Sequence, residues 1–182
     1  LGCATGQGAT ALAARYPAAR VLAIDSSAAM LAAAAARPGP ARTAIRADAE
    51  RLPLKDGAAD LVFANLLMPW TRPDVLFAEV ARVLAPGGAV LFATLGPDTL
   101  AEVRQAFGAV DDRLHVQAAF EMHDLGDLAM AAGLAEPVLD ADRIAVTYAS
   151  VAALLRDLRA TGGVSTAGGR RRSLTGPGRW RA

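Results

Sequence analysis

The chain has 182 residues, of which 53% are apolar, a formal net charge of +1 and a single cysteine. Much of the apolar fraction is alanine, so a positive mean hydropathy reflects Ala enrichment, and no run approaches the roughly 18 apolar residues a membrane-spanning helix requires. Cys3 alone excludes an intramolecular disulfide and favours a reducing cytoplasm, and the length fits one domain with a sizeable core.

The charge is uneven. Residues 1–155 carry 12 basic and 17 acidic side chains, whereas residues 156–182 carry seven arginines against Asp157 alone. A basic segment on an acidic body points either to an anionic partner or to a solvated tail.

Taken in order, the elements alternate between strand and helix, which predicts an α/β fold on a parallel sheet. LGCATGQG opens the chain with three glycines in eight residues. ARVLAID (19–25) reads as a buried strand ending at Asp25, and Ser26 and Ser27 can cap the alanine-rich helix that follows. RPGP (37–40) breaks that helix. ARTAIRAD (41–48) is a strand ending at Asp48, and ADLVFANL (59–66) is another. PDVLFAEVARVLA (73–85) is an amphipathic helix that begins on Pro73 and is ended by PGG (86–88). AVLFATL (89–95) is an apolar run suited to a central parallel strand. PDTLAEVRQAF and MHDLGDLAMAAGL follow as helices, RIAVTY (143–148) as a strand and VAALLRDLRATG (151–162) as a helix.

The glycine loop carries the chemistry. It follows directly on a first strand, at the carboxyl edge of an open sheet, where such folds bind ligands. Gly2, Gly6 and Gly8 let the backbone approach a ligand closely, and the helix N-terminus presents N–H groups to an anion. Asp25 lies 19 residues after Gly6, at the next strand tip, where a carboxylate can accept both hydroxyls of a ribose. Asp48, at the following tip, can reach the exocyclic amine of an adenine. An adenosine site beside an anion cradle suits a dinucleotide or S-adenosylmethionine. The loop reads G-x-x-x-G-x-G rather than the dinucleotide pattern G-x-G-x-x-G, which favours the methyl donor. A glycine-rich turn without a ligand is the bland alternative.

The order LGCATGQG, VLAIDSSAAML, ADAERLPL, ADLVFANLLMPW, RVLAPGGAVLFATLGPDTL resembles class I methyltransferases. FEMHDLGDLAMAAGLAEPVLDADRIAVTY, LLRDLRATGG and GRRRSLTGPGRW resemble the malonyl-[acyl-carrier protein] O-methyltransferase family of biotin synthesis, and the likeness covers essentially the whole chain. It implies a Rossmann-like sheet with helices on both faces, an insert around 97–125 and a basic C-terminal segment at 162–182. Relatives of this kind begin with an extension and a full first strand and end with a further strand, so the chain is expected to be truncated at both ends. The family loop usually reads G-C-G-T-G; here Ala4 stands in the middle, and it is expected to fit the loop's backbone.

The resemblance implies S-adenosyl-L-methionine held by Gly2, Cys3, Ala4, Gly6, Asp25, Ser26, Met30, Asp48, Ala49 and Asn65, with methyl transfer to the free carboxylate of a malonyl thioester. A malonyl carboxylate is ionised near neutral pH, so no catalytic acid or base is required. Arg159 and His123 are candidates to hold it, and Trp70 to wall the site. Each has a plainer reading: a solvated helix residue, a helix cap and a core side chain. Acyl-carrier protein, being acidic, could dock on Arg170, Arg171, Arg172 and Arg179. The arginines lack interleaved aromatics, which disfavours nucleic acid. The two histidines and scattered acids lack metal-ligand spacing. A cytoplasmic monomer away from membranes is expected. The alternatives are a complex I assembly factor on the same fold, a methyltransferase acting on another small acid, and a dinucleotide oxidoreductase. A thiol nucleophile at Cys3 is weakly supported.

Overall fold

The structure, a computed structural model, describes residues 1–109, 116 and 119–161. They group into two compact units. One comprises Leu1–Leu95 with Met122–Leu139, and the other the described residues of 96–121 and from 140 onward.

In the first unit, α1 (Gln7–Arg15) leads to β1 (Leu22–Asp25), α2 (Ala28–Ala36) and β2 (Thr43–Arg46). β1 and β2 pair in parallel, with Leu22 opposite Thr43 and Asp25 opposite Arg46. α2 starts where the Ser27 hydroxyl accepts the Met30 N–H at 3.3 Å, an N-cap that supplies one of the helix's missing acceptors. Leu31 and Ala34 on α2 are buried, and the helix packs on both strands.

β3 (Ala59–Asn65) and β4 (Leu84–Ala93) form a second parallel pair. Between them α3 (Pro73–Val83) buries Pro73, Leu76, Phe77, Val80 and Val83, the spacing of one helical stripe. α5 (Met122–Ala131) packs against α3, with Leu125, Gly126 and Ala129 buried.

Leu1–Cys3 lies between the two ribbons. The Cys3 N–H donates to the Ile24 carbonyl of β1 at 2.9 Å, and the Leu1 nitrogen donates to the Phe63 carbonyl of β3 at 2.5 Å. Hydrogen bonding therefore runs β2, β1, Leu1–Cys3, β3, β4. From this segment the chain turns through α1 to β1 on one side, while β3 continues on the other. Leu1–Cys3 is thus the topological switch point, where open α/β sheets bind ligands at their carboxyl ends. Helices cover both faces. A side chain at Gly8 of α1 would meet the Phe63 ring at 2.9 Å, whereas Phe77 of α3 meets the Phe92 ring edge-on at 5.4 Å. Phe63 pairs with Leu91 and Ala64 with Phe92, so the two rings point to opposite faces.

In the second unit α4 (Ala101–Gly108) and α6 (Val151–Ala160) bury no residue.

Several expectations are corrected. The segment 143–148 forms no strand: a strand needs a ladder, and Ile144 and Val146 stand 80% and 65% exposed without one. The helix from Pro73 stops at Val83, not at residue 85, because Leu84 turns extended (φ −70°, ψ 132°). Pro86–Gly88 do not follow the helix as a terminator; they lie inside β4, in an irregularity where Ala59 opposes Leu84 but Leu61 opposes Ala89. The helix expected from residue 97 begins at Ala101 after a turn. The second strand ends at Arg46, so Asp48 lies past its tip, bridged to Arg51.

Candidate functional site

The glycine loop leaves the switch point with nearly every peptide held. The Ala4 N–H donates to Asp25 Oδ2 at 2.9 Å. The Gly6 N–H donates to the Cys3 carbonyl at 2.8 Å, and the Gly6 carbonyl accepts the Thr10 N–H at 2.9 Å and the Thr10 hydroxyl at 2.8 Å. Arg37 Nε donates to the Thr5 carbonyl at 2.9 Å. Among the described residues the N–H groups of Thr5, Gln7 and Gly8 have no acceptor, the arrangement expected of a helix N-terminus open to a ligand.

Gly6 caps α1 with φ +84°, and a Cβ there would stand 2.8 Å from Ala34 Cβ. Only glycine meets both demands. Ala4 departs from expectation. Its φ is +45°, in the left-handed region that costs an L-residue about 1–2 kcal/mol, so the backbone does not suit alanine.

Asp25, half-buried at the tip of β1, also accepts the Ser27 N–H on Oδ1 at 2.9 Å. Each carboxylate oxygen keeps a second lone pair. The Ser26 carbonyl accepts Arg46 Nε at 3.1 Å. Met30, on the first turn of α2, is 40% exposed. The Ala47 N–H donates to the Asp25 carbonyl at 3.2 Å, which draws Asp48 and Ala49 to the same edge. Asp48 is exposed and accepts the Glu50 N–H on Oδ1 at 2.9 Å. Asn65 ends β3, exposed. The chain then turns at Leu66, with φ +57° and its N–H on the Ala93 carbonyl at 2.8 Å. The structure therefore brings Gly2, Cys3, Ala4, Gly6, Asp25, Ser26, Asp48, Ala49 and Asn65 to one sheet edge.

Burial pushes the Cys3 thiol up, and the negative charge of Asp25 pushes it further. The thiol stays protonated, against any role as a nucleophile.

Trp70 closes a short 3-10 turn at Met68–Trp70 and is 52% exposed, not core. His123 is exposed on the first turn of α5. Arg159 is exposed near the end of α6, in the second unit. Neither the His123 nor the Arg159 side chain has a hydrogen bond or ion pair among the described residues. Arg170, Arg171, Arg172 and Arg179 lie outside the described residues.

Sequence reasoning missed the supports of this edge. Arg37 sat in RPGP, legible only as a helix breaker. Glu50 Oε1 accepts the Arg72 N–H at the start of α3 at 2.5 Å. Glu79 Oε1 accepts the Leu52 N–H at 2.5 Å while Arg82 binds Glu79 at 2.6 Å and Asp56 at 2.7 Å, fastening the segment after Asp48 to α3. A glutamate three residues before an arginine on a helix signals the pair but not its grip on a distant loop.

The methyltransferase domain family matches this chain over residues 1–92. The malonyl-[acyl-carrier protein] O-methyltransferase of Laribacter hongkongensis is 43% identical, over 98% of this chain and 64% of that protein. Its counterpart in Gallionella capsiferriformans is 40% identical, over 98% and 65%. The chain thus spans slightly less than two thirds of the length of these curated relatives. A SAM-dependent methyltransferase from Methanosarcina mazei superposes with a TM-score of 0.59 at 18% identity, over 72% of this chain and 76% of that one, a likeness of fold. The [4+2]-cyclase SpnF superposes with a TM-score of 0.55 at 28% identity, over 72% and 48%, so the fold alone does not fix the reaction. With its glycine loop at the switch point of a Rossmann-like α/β sheet and half its length matching the family, the chain belongs to the methyltransferase domain family.

Proposed function

We propose that the protein carrying this chain methylates the free carboxylate of a malonyl thioester on acyl-carrier protein, using S-adenosyl-L-methionine. The observation that carries the reading is the extent of the likeness: relatives of that name align over both the site-bearing unit and the rest of the chain.

The site's chemistry suits the cofactor. The Thr5, Gln7 and Gly8 N–H groups, without an acceptor among the described residues, suit an amino-acid carboxylate. Asp25 has acceptor capacity for a ribose diol, and Asp48 and Ala49 offer an acceptor and a small neighbour to an adenine. A Cβ at Gly6 would collide with Ala34 of α2, so glycine is what lets the loop lie this close to that helix. Gly2, Cys3, Ala4, Gly6, Asp25, Ser26, Met30, Asp48, Ala49 and Asn65 would hold the cofactor, which supplies an electrophilic methyl on a cationic sulfur.

The chain's own part is alignment and dehydration. The acceptor carboxylate is already charged, so no side chain need remove a proton. Trp70, exposed beyond β3, would exclude water on one side. His123 and Arg159, whose side chains have no hydrogen bond or ion pair among the described residues, carry donors suited to orienting a carboxylate. Arg170, Arg171, Arg172 and Arg179 would meet the acidic carrier, and their replacement by glutamate should raise KM for carrier-bound substrate while leaving S-adenosylmethionine binding unchanged. We place the reaction in the cytoplasm, with a monomeric enzyme.

The test is to incubate the whole gene product with S-adenosylmethionine and malonyl-acyl-carrier protein and to weigh the carrier by intact mass spectrometry. A gain of one methylene unit on the malonyl group is expected. Binding of S-adenosylhomocysteine without that gain would keep the fold and overturn the acceptor.

A further inference from the structure

We infer that Arg37 is a positioning residue for the cofactor loop, holding the N-terminal turn of α1 in its binding geometry from the far end of α2. The inference rests on the reading of this loop as the S-adenosylmethionine site.

The loop meets the end of α2 at two adjacent points. Gly6 lies against Ala34, close enough that a Cβ on Gly6 would stand 2.8 Å from Ala34 Cβ and 3.0 Å from Ala34 Cα. One helical turn on, Arg37 Nε donates to the Thr5 carbonyl at 2.9 Å. The Thr5–Gly6 peptide is therefore gripped at both ends, its oxygen by Arg37 and its N–H by the Cys3 carbonyl at 2.8 Å. The next peptide, Gly6–Gln7, is held through its Gly6 carbonyl by Thr10, so the two anchored peptides in series set the direction in which the Gln7 N–H enters the helix start. The guanidinium also polarises the Thr5 peptide, adding to the positive end of the helix dipole.

Arg37 is itself held. Its N–H donates to the Ala34 carbonyl at 3.3 Å, and its carbonyl accepts Arg42 Nη2 at 2.8 Å. Arg42 reaches the Ala34 carbonyl at 3.2 Å with the same nitrogen and the Pro40 carbonyl with Nη1 at 2.9 Å. The turn between α2 and β2 is thus tied together through Arg42. The Arg37 side chain meets the loop at the Thr5 carbonyl, not at the N–H groups that would receive the cofactor, so it acts through the Thr5 backbone.

The experiment uses the whole gene product and S-adenosylhomocysteine as the probe, titrated calorimetrically against wild type, Arg37→Ala and Arg37→Lys, with melting temperatures and kinetics for both substrates alongside. Loss of one charge-assisted hydrogen bond to the loop should weaken S-adenosylhomocysteine binding by about tenfold in Arg37→Ala. KM for S-adenosylmethionine should rise in step, with kcat and KM for malonyl-acyl-carrier protein unchanged. Arg37→Lys retains a donor and should recover most of the affinity. S-adenosylhomocysteine affinity within about twofold of wild type in Arg37→Ala, a change smaller than one weak hydrogen bond, would overturn the proposal while leaving the cofactor reading intact. So would a lower melting temperature with both KM values moved equally, the mark of a merely structural role. Wild type that binds no S-adenosylhomocysteine would remove the cofactor reading itself and the inference with it.

Discussion

The two compact units differ in what holds each of them together internally. Every buried apolar side chain among the described residues lies in Leu1–Leu95 or Met122–Leu139. The other unit buries none on α4 or α6. Its described polar contacts are exposed ones: Arg143 with Asp98, Tyr148 with Asp157, and Arg104 with the Pro97 and Thr99 carbonyls. A ligand edge that must keep backbone donors aligned sits on a packed core, which resists small displacements. A region fixed by solvated pairs can shift at little cost.

The largest test of this contrast lies in the core. Phe77 is 1% exposed and lies against Phe92. Phe77→Ala should cost about 3–5 kcal/mol, measured by urea unfolding of the whole gene product. A cost below about 1 kcal/mol would mean that the first unit does not depend on its core as burial indicates.

A smaller effect belongs to the polar fastening of that same unit. The Arg82 hydrogen bond holds the Glu79 carboxyl below its ordinary value. A lowered carboxylate pKa contributes stability that is fully present above the unfolded-state value and is lost as pH falls through the folded one. Stability should therefore decline as pH drops below about 4.5, the group's ordinary value. Glu79→Gln should be less stable near neutrality and show a flatter dependence in that acid range. An unchanged slope would remove Glu79 as a contributor.

How legible each region was follows from the same contrast. Elements whose identity rests on local pattern were readable: the α2 cap at Ser27, the buried stripe of α3, and the strands that end at Asp25 and near Asn65. The segment 143–148 has the residue types of a strand, but a ladder partner is a nonlocal fact, and none pairs with it among the described residues. Pro86–Gly88 read as a helix stop because proline and glycine also serve irregular strand pairing. In the candidate site, residues whose place is set by position along the chain, Gly6 at the start of α1 and Asp25 at the end of β1, could be placed from spacing. Arg37, Thr10 and Glu79 could not, because each acts on a partner that only the fold brings near. Ala4 stands where the resemblance leads one to expect glycine, but the positive sign of its φ is invisible in sequence.

That departure allows the comparison to be sharpened within the well-packed unit. Ala4 holds φ +45° while its N–H is anchored on Asp25. Glycine removes the left-handed penalty but loses more entropy on folding, so Ala4→Gly should gain about 0.5–1 kcal/mol. A rise in melting temperature with S-adenosylhomocysteine affinity retained would show strain stored in the loop and borne by its neighbours. A fall would mean that the loop relaxes away from this geometry in solution.

The smallest effect is expected where the contrast is most exposed to failure. Arg143 and Asp98 approach to 2.9 Å, but their side chains are 86% and 81% exposed. An ion pair so fully solvated gains little over its separated partners and gives up side-chain entropy to form. Arg143→Ala should therefore change unfolding free energy by less than about 0.5 kcal/mol and leave S-adenosylhomocysteine binding untouched. A cost of about 2 kcal/mol, outside the range for exposed pairs, would show that the second unit depends on this contact, and the contrast between a packed and a solvated half would fail at the point chosen to define it.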